Sequence, residues 1–491
     1  MVLVGSRTLR EVPRRRIQYG GYIRIPFAVW GVVFLVAFLI SLSSSDALLT
    51  FACIATVPVL ATLVWRAGEP PVPFAALMMQ WLQVSAGTFR ATITGAKLND
   101  LFHTAGADYA TWLSLTGLLV LALGIRLANL YRPPIDPGAL YAEIRSFRYS
   151  RVFATYCLAQ LGNFFLQAII WSFPGLSQAL LAASQLRWLF YFTLVATTLV
   201  QKRGYGYLAA ATVFEIILGF TSFFADFREV FFVLAVAYLM VQPRMNVKMV
   251  ATVTTLLCIL LYMAVIWSSV KMDYRDFQNQ GTGAQVSLVG TQDKLEKLVE
   301  LIGNVDSQRF LDGIDKLAER IEYTRFFGYV TENVPRYIPY DDGAIWEAAV
   351  YHVLTPRLLF ADKAELTADI ENTIRYTGIA FSGGGVDTEI PLGYMAESYI
   401  GFGPIFMFVP ILLLGLLFGA QYRYLATLRH YKLFAYAAMP VILMPATEYG
   451  LTAVKILGGS LTVFPVTYIV LKLFMPSVQS FILSKRNLSH I

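Results

Sequence analysis

Apolar runs of bilayer-crossing length recur from Pro26 to Met475 and pause only once, between Val270 and Pro391. A helix needs roughly 20 mostly apolar residues to cross hydrocarbon, and only helices and closed barrels satisfy their backbone groups there. The pattern predicts an all-α, polytopic membrane helix bundle. Twelve runs are read: about 26–43, 47–65, 71–88, 109–125, 152–172, 179–200, 205–225, 229–242, 249–269, 395–419, 433–449 and 455–475. The run 71–88 opens on Pro70-Pro71 and holds Gln80 and Gln83, which suits a re-entrant segment as well as a span. The run 229–242 is short and reaches spanning length by taking in Phe223–Phe227. The expected organisation is 1–269 (N-terminal membrane helices, about nine spans), 270–391 (a helical loop subdomain) and 392–491 (about three spans and a short tail).

Composition agrees with the pattern. Hydrophobic residues make up 57% of the chain and charged residues 14%, with mean hydropathy +0.58, against roughly 25% charged in an ordinary soluble domain. Cys53, Cys157 and Cys258 all fall in apolar runs, so neither a disulfide framework nor a CxxC metal pair is visible. The formal charge of +7 is spread over loops between runs, which favours a topology signal with anionic lipid contact over a nucleic-acid stripe. Starting with the N-terminus inside, the cytoplasmic segments collect Arg14, Arg15, Arg16, Arg126, Arg132, Arg145, Arg148, Arg151, Lys202 and Arg203. Short outer loops keep only Arg90, Lys97, Arg228 and Lys455. Removing the run 71–88 would invert the Arg126–Arg151 cluster and spoil the bias, so the run is counted as a span. Both termini are then expected in the cytoplasm and the insert outside it. The first run follows Arg14–Arg16 and Gly20-Gly21 without a cleavage pattern and reads as a retained signal anchor. The two halves show no repeat, which speaks against an inverted-repeat transporter.

The insert has its own grammar. Asn279–Gly283 reads as a loop. Leu295, Leu298, Leu301, Ile302, Leu311, Ile314, Leu317 and Ile321 then repeat at helical spacing, giving one long or two short amphipathic helices on the membrane roof. Arg325–Tyr329, Tyr337–Gly343 and Trp346-Glu347 mix aromatics, acids and glycines, a mixture that suits sugar binding and equally suits packing of a small subdomain. Asp341-Asp342-Gly343 also reads as a turn, and no neighbouring ligand completes a metal site. Glu397 falls in the first turns of an apolar helix, where an ionisable group is either functional or an acid favoured by the helix dipole. Arg187 and Glu215 lie inside runs and are expected to pair or to line a wet cavity. Glu448 and Lys455 flank a short turn and are expected to pair.

Several of these residues carry a resemblance. Tyr351–Lys363 with Pro356-Arg357, then Pro391-Leu392-Gly393, Ala396-Glu397-Ser398-Tyr399 and Gly401-Phe402-Gly403 leading into a long apolar helix, together resemble the Wzy-type oligosaccharide repeat-unit polymerases of bacterial surface polysaccharides (O-antigen and exopolysaccharide polymerases). Phe220–Arg228 is similar to the arginine-bearing span before that family's main outer loop. Ala364 stands where the family commonly has a proline after the lysine. The resemblance implies a GT-C-like membrane glycosyltransferase of the bacterial inner membrane, acting on its outer face without metal or other cofactor. It would join polyprenyl-diphosphate-linked oligosaccharides, in the company of membrane lipid and of a chain-length regulator and flippase, and without nucleic acid. A lipid-linked glycan flippase or transporter and an O-antigen-type ligase are the alternatives.

Such a transfer needs cations for the leaving diphosphate, a proton acceptor for the incoming hydroxyl, and a greasy groove. Arg228 and Arg357 are assigned to diphosphate, with Lys363, Arg336 and Arg375 beside them; any of these also has the option of reaching lipid headgroups. Glu397 is assigned as the base or acceptor-orienting residue, and His352 comes second. Tyr376, Tyr394, Tyr399 and Asp387 are assigned to glycan, with aromatic-belt anchoring as the other reading of the tyrosines. The arrangement expected is one pocket in which Arg228 and Arg357 face Glu397.

Overall fold

The computed structural model describes residues 21–483 except 133–136, 174, 222–226, 243–246, 283–287, 357–358, 361–362, 364–365, 380–389 and 429. Every regular element among them is a helix, and the only pairing of extended backbone is two isolated bridges, Tyr22 with Arg66 and Phe147 with Leu483. The first part of the chain gives α1 (Phe27–Ser41), α2 (Ala47–Val64), α3 (Val72–Thr94), α4 (Leu98–Phe102), α5 (Ala107–Ala128), α6 (Pro137–Ser146) and α7 (Tyr149–Ile169). It continues with α8 (Ser177–Ser184), α9 (Arg187–Gln201), α10 (Tyr205–Thr221), α11 (Phe227–Val241) and α12 (Val247–Gln278). The insert holds α13 (Thr291–Gly303), α14 (Ser307–Ile321), α15 (Thr324–Asn333), α16 (Ala344–Leu354) and α17 (Asp369–Thr377). The chain closes with α18 (Tyr394–Phe406), α19 (Phe408–Thr427), α20 (Lys432–Ile442), α21 (Ala453–Leu473) and α22 (Met475–Ile482).

Among the described residues, seven helical segments are long and apolar enough to cross a membrane: Ala47–Val64, Ala107–Ala128, Tyr149–Ile169, Ser177–Gln201, Lys248–Gln278, Phe408–Thr427 and Ala453–Leu473. Shorter apolar helices, Phe27–Ser41, Tyr205–Phe220 and Lys432–Ile442, pack among them. This is the architecture of a membrane protein. Helices approach closely where side chains are small: a Cβ added at Gly124 would lie 2.6 Å from the Leu412 carbonyl oxygen, and one at Gly415 would lie 2.4 Å from that of Leu121. Small residues at such crossings let α5 and α19 pack backbone to backbone, the usual solution where lipid offers no hydrophobic drive.

The run 71–88 forms one unbroken helix, α3, and its two glutamines have structural work. Gln80 donates to the Ala446 carbonyl (2.8 Å) and accepts from the Tyr394 hydroxyl (2.8 Å), while Gln83 donates to the Thr447 carbonyl (3.0 Å). They serve the chain after α20, which leaves the helix at Ile442 and turns through a 3₁₀ segment, Met444–Thr447. The expected run 433–449 is thus interrupted, and three others are interrupted or extended. The run 179–200 divides at Gln185-Leu186 into α8 and α9. The run 395–419 divides because Gly403 takes φ +68° ahead of Pro404, a backbone that only glycine adopts without strain. The boundary between 269 and 270 falls inside α12, which continues as a single helix to Gln278.

The insert sits at one end of this layer. Its amphipathic stretch is two helices, α13 and α14. The Asp306 carboxylate accepts from the Arg309 N–H (2.8 Å) and starts α14. Gly313 brings α14 against α12 at Val265 and Ser269, where an added Cβ would meet the Val265 carbonyl oxygen at 2.8 Å. Between α14 and α15, buried Glu322 pairs with Arg90 of α3 at 3.0 Å, which fastens the insert to the helix layer. At the opposite end, Glu69 pairs with Arg66 (3.0 Å) and Arg132 and accepts from the Tyr422 hydroxyl (2.9 Å). Arg187 and Glu215 do pair, at 3.8 Å, and the Tyr156 hydroxyl donates to the same carboxylate (3.0 Å).

Candidate functional site

Two places at the insert end stand out, one a hollow lined by charged groups and the other a gathering of cations beside an apolar groove. The first is a cavity of about 330 Å³ walled by Ala344, Ile345, Ala348, Ala349, Leu366 and Val454, into which Asp341, Asp369, Asn372, Arg375, Tyr376, Glu397 and Thr452 contribute polar groups. Helix geometry explains why carboxylates gather here. The Asp341 carboxylate accepts from the Gly343 N–H (2.9 Å) and the Ile345 N–H (3.2 Å) at the start of α16. Gly343 makes that entry at φ +87°. The Glu397 carboxylate accepts from the Ala453 N–H (2.6 Å), the first residue of α21. Asp369 opens α17 and pairs with Lys455 at 2.8 Å. Three helix N-termini thus converge on one hollow, each met by an acid, as the helix dipole favours. Glu397 serves the N-terminus of a neighbouring helix, and it is 2% exposed. The Thr452 hydroxyl, on the same wall and 3% exposed, has no hydrogen-bond partner among the described residues. Burial pushes the Tyr376 phenol up, and the adjacent Arg375 works against that change.

The second place, called the cleft below, is the charged junction where α11 and α14 pack against α12. Arg228, in the first turn of α11, pairs with Glu448. Arg320, at the end of α14, interacts electrostatically with both Arg228 and Glu448. Lys271 and Arg275 on α12 lie within electrostatic reach of Arg320. An apolar groove of about 630 Å³ is lined by Phe220, Tyr262, Met263, Ile266, Phe310 and Leu311, among others, on α10, α12 and α14. Its wall reaches the cleft through aromatics: Phe220 stacks on Phe227 with centroids 4.4 Å apart, and Phe227 precedes Arg228.

Tyr323 stands between the two places. Its hydroxyl donates to the Pro391 carbonyl (2.8 Å), and burial, then the carboxylates of Asp369 and Glu448, raise its phenol. One stretch of chain touches both: Glu448 reaches the cleft, while Thr452, Val454 and Lys455 line or border the cavity. Four residues span at most about 14 Å, so the cleft and the cavity are neighbours.

The expected site residues distribute as follows. Glu397, Arg375 and Tyr376 share the cavity, whereas Arg228 lies in the cleft, so Arg228 and Glu397 line no common cavity among the described residues. Arg357 and Asp387 lie outside the described residues. Tyr394 and Tyr399 do not face the cavity. Both are buried in packing, Tyr394 donating to Gln80 and Tyr399 to the Val334 carbonyl (3.1 Å). His352 lies near the end of α16, and the Lys363 ammonium donates to its carbonyl, which holds the following loop to the helix. Arg336 is exposed beside the Tyr337 ring at 5.0 Å and lines neither place. Glu448 and Lys455 pair with Arg228 and Asp369, respectively, and not with each other, because the turn between them spreads its two ends toward different partners.

Sequence reasoning reads Asp341 only within a stretch that suits sugar binding or packing, and assigns no site role to Asp369, Thr452 and Lys455 in the cavity, or to Lys271, Arg275 and Arg320 in the cleft. Asp341 had a signal, its place before a glycine at a helix start. Lys271 and Arg275 follow an apolar run at spacing i, i+4, which puts them on one helix face.

Comparison with curated proteins and with solved structures finds no match. A family model described as Domain of unknown function (DUF8712) matches residues 141–431. That segment contains Arg228, Lys271, Arg275, Arg320, Asp369 and Glu397 and ends before Glu448. With more than half of its length matched, the chain belongs to the DUF8712 family.

Proposed function

We propose that this protein joins polyprenyl-diphosphate-linked oligosaccharide repeat units at the outer face of a bacterial cytoplasmic membrane, with twelve crossings and both termini in the cytoplasm. The observation that carries the reading is adjacency: an apolar groove whose wall residue Phe220 stacks on Phe227, the residue before Arg228, and a separate hollow nearby lined by carboxylates, a phenol and a guanidinium. A lipid diphosphate needs the first, because its chain is greasy and its head is anionic. A sugar hydroxyl needs the second, because carboxylates accept its hydrogen bonds and a positioned base takes its proton.

In this reading the donor's prenyl chain lies in the groove and its diphosphate at Arg228. The acceptor sugar occupies the cavity. The acceptor oxygen attacks the donor's anomeric carbon, the bond from that carbon to the diphosphate oxygen breaks with its electron pair, and the hydroxyl proton passes to a carboxylate. Glu397 is the proposed acceptor of that proton: it lines the cavity, it is buried, and the Ala453 N–H holds it in place. Arg375 and Tyr376 contribute glycan contacts. Tyr394 and Tyr399 support the wall from behind, and Asp369 takes the second place that the sequence assigns to His352.

The test is purified protein with lipid-linked repeat unit, read on a gel for a ladder of products. Wild type is expected to build the ladder and Glu397→Gln to leave single units. A ladder of normal length from Glu397→Gln sinks the assignment of the base. A wild-type protein that builds no ladder and instead moves a finished chain to another acceptor turns the reading into a ligase.

A further inference from the structure

Resting on the reading just given, we infer that the anion seat extends beyond Arg228 to Lys271, Arg275 and Arg320, and that Glu448 is its internal occupant, displaced when a diphosphate group binds.

The geometry begins with α12. Trp267, Lys271, Arg275 and Gln278 recur at helical spacing, so they share one face where the helix rises out of the apolar layer. The Trp267 indole N–H is 2% exposed and has no hydrogen-bond partner among the described residues. Its ring lies 5.8 Å from Phe220, which lines the apolar groove. This face therefore begins beside the groove with an unused donor and continues into two cations. Gly313 seats α14 against Val265 and Ser269, which brings Arg320, seven residues on in α14, over the same region. Arg228 enters from α11. Four cations from three helices gather, and Glu448 reaches in from the turn after α20 to pair with Arg228.

A phosphate-class anion suits such a seat. It offers several strong acceptors to guanidinium groups, which bind it bidentately, and to an ammonium, which binds it as a point charge. Glu448 supplies one negative charge where a diphosphate supplies more, so the exchange is favourable once the anion arrives. The Arg228–Glu448 pair is partly exposed, with side chains 46% and 34% accessible, so breaking it is cheap. Displacement has a second consequence. Glu448 and Lys455 flank one short turn, and the N–H of Ala453, where that turn enters α21, holds Glu397. Moving Glu448 shifts the segment that positions the cavity's carboxylates, so occupancy of the cleft is felt in the cavity.

The experiment is titration of full-length protein in lipid nanodiscs with inorganic diphosphate and, separately, with a short prenyl diphosphate, by calorimetry. Glu448→Gln is expected to tighten binding of inorganic diphosphate by about three- to tenfold, since it removes a competitor of ordinary ion-pair strength. Arg320→Gln, at an exposed helix end that tolerates change, is expected to weaken both ligands and to reduce the dependence of binding on salt. Unchanged or weaker binding in Glu448→Gln overturns the internal occupant. Unchanged binding in Arg320→Gln overturns the wider seat. Phe310→Asp in the groove separates the sources: loss for the prenyl ligand alone supports a lipid headgroup, and equal affinity of both ligands in wild type and variant overturns the link between seat and groove. No sugar is transferred in these measurements. A protein that binds diphosphate as described and builds no ladder keeps this inference and loses the polymerase reading, and the reverse outcome does the opposite.

Discussion

The cleft and the cavity lie within one turn of chain of each other and handle charge in opposite ways. In the cavity each of the three carboxylates is matched. Asp341 and Glu397 accept backbone N–H groups at helix starts, and Asp369 has Lys455. In the cleft, Arg228, Lys271, Arg275 and Arg320 come together and a partly exposed Glu448 reaches one of them. A matched site is preorganised and asks little of its ligand, and neutral hydroxyl-bearing molecules suit it. A site rich in cations asks for an anion. The residues expected in one pocket are divided between two places, with Tyr323 near the carboxylates of both.

The largest expected effect breaks the comparison on the cavity side. Glu397→Gln retains the shape but not the proton acceptor, and general-base removal costs about 10²- to 10⁴-fold in rate. Single-turnover measurements with lipid-linked units are expected to show that loss with donor affinity unchanged. A loss of donor affinity instead would mean that Glu397 acts through the Ala453 N–H on the cleft and not on the acceptor.

Salt gives the next effect, because the two places must respond differently. Binding of a diphosphate at the cleft is expected to weaken steeply between low and physiological salt, since its ion pairs face water and are screened over about 8–10 Å. Binding of a neutral oligosaccharide at the cavity is expected to be insensitive over the same range. Equal salt slopes for the two ligands would merge the sites again.

A smaller effect sits on Thr452. Its buried hydroxyl has no partner among the described residues, a state that costs folding free energy of about 1–3 kcal/mol when nothing compensates it. Thr452→Val is nearly isosteric and is therefore expected to leave thermal stability unchanged or raised, while weakening oligosaccharide binding several-fold. If both stability and binding fall together, the hydroxyl is a structural group and the cavity loses one of its proposed contacts.

How much of this is legible in the sequence depends on the distance over which each feature is decided. Hydropathy decides helices locally, so the apolar runs are readable, as are the two amphipathic helices α13 and α14. Breaks are decided by single residues inside a run. Gly403-Pro404 carries such a signal, whereas Gln185-Leu186 carries none that a sliding count of apolar residues would register. Gln80 and Gln83 look like defects in a span because their partners, Ala446 and Thr447, lie far along the chain. Tyr376, Tyr394 and Tyr399 are alike in sequence, and tertiary packing alone puts the first on a cavity wall and the other two behind it. Lys271, Arg275 and Arg320 escape notice for the same reason. Each reads as an ordinary polar residue at the edge of a span or on a solvated helix face, and its meaning lies in what the other two helices bring.

The smallest predicted effect tests the ground on which both places stand. Glu322, 2% exposed, ties the insert to α3 through Arg90. Burial raises its pKa above the ordinary value of 4.5, and Arg90 opposes the rise without cancelling it. A carboxylate whose folded pKa is raised holds its proton more tightly in the folded state. The folded protein therefore gains stability on the acidic side of the raised value and loses it as pH climbs from the ordinary carboxylate range through that value. Within that window each step of one pH costs on the order of 1 kcal/mol. Melting curves between acid and neutral pH are expected to show a shallow decline in wild type. Glu322→Gln, which is neutral throughout and keeps a hydrogen bond to Arg90 within reach, is expected to flatten it. A steeper decline in the variant would mean that the ion pair with Arg90 outweighs burial, and that the insert is held to the helix layer by charge.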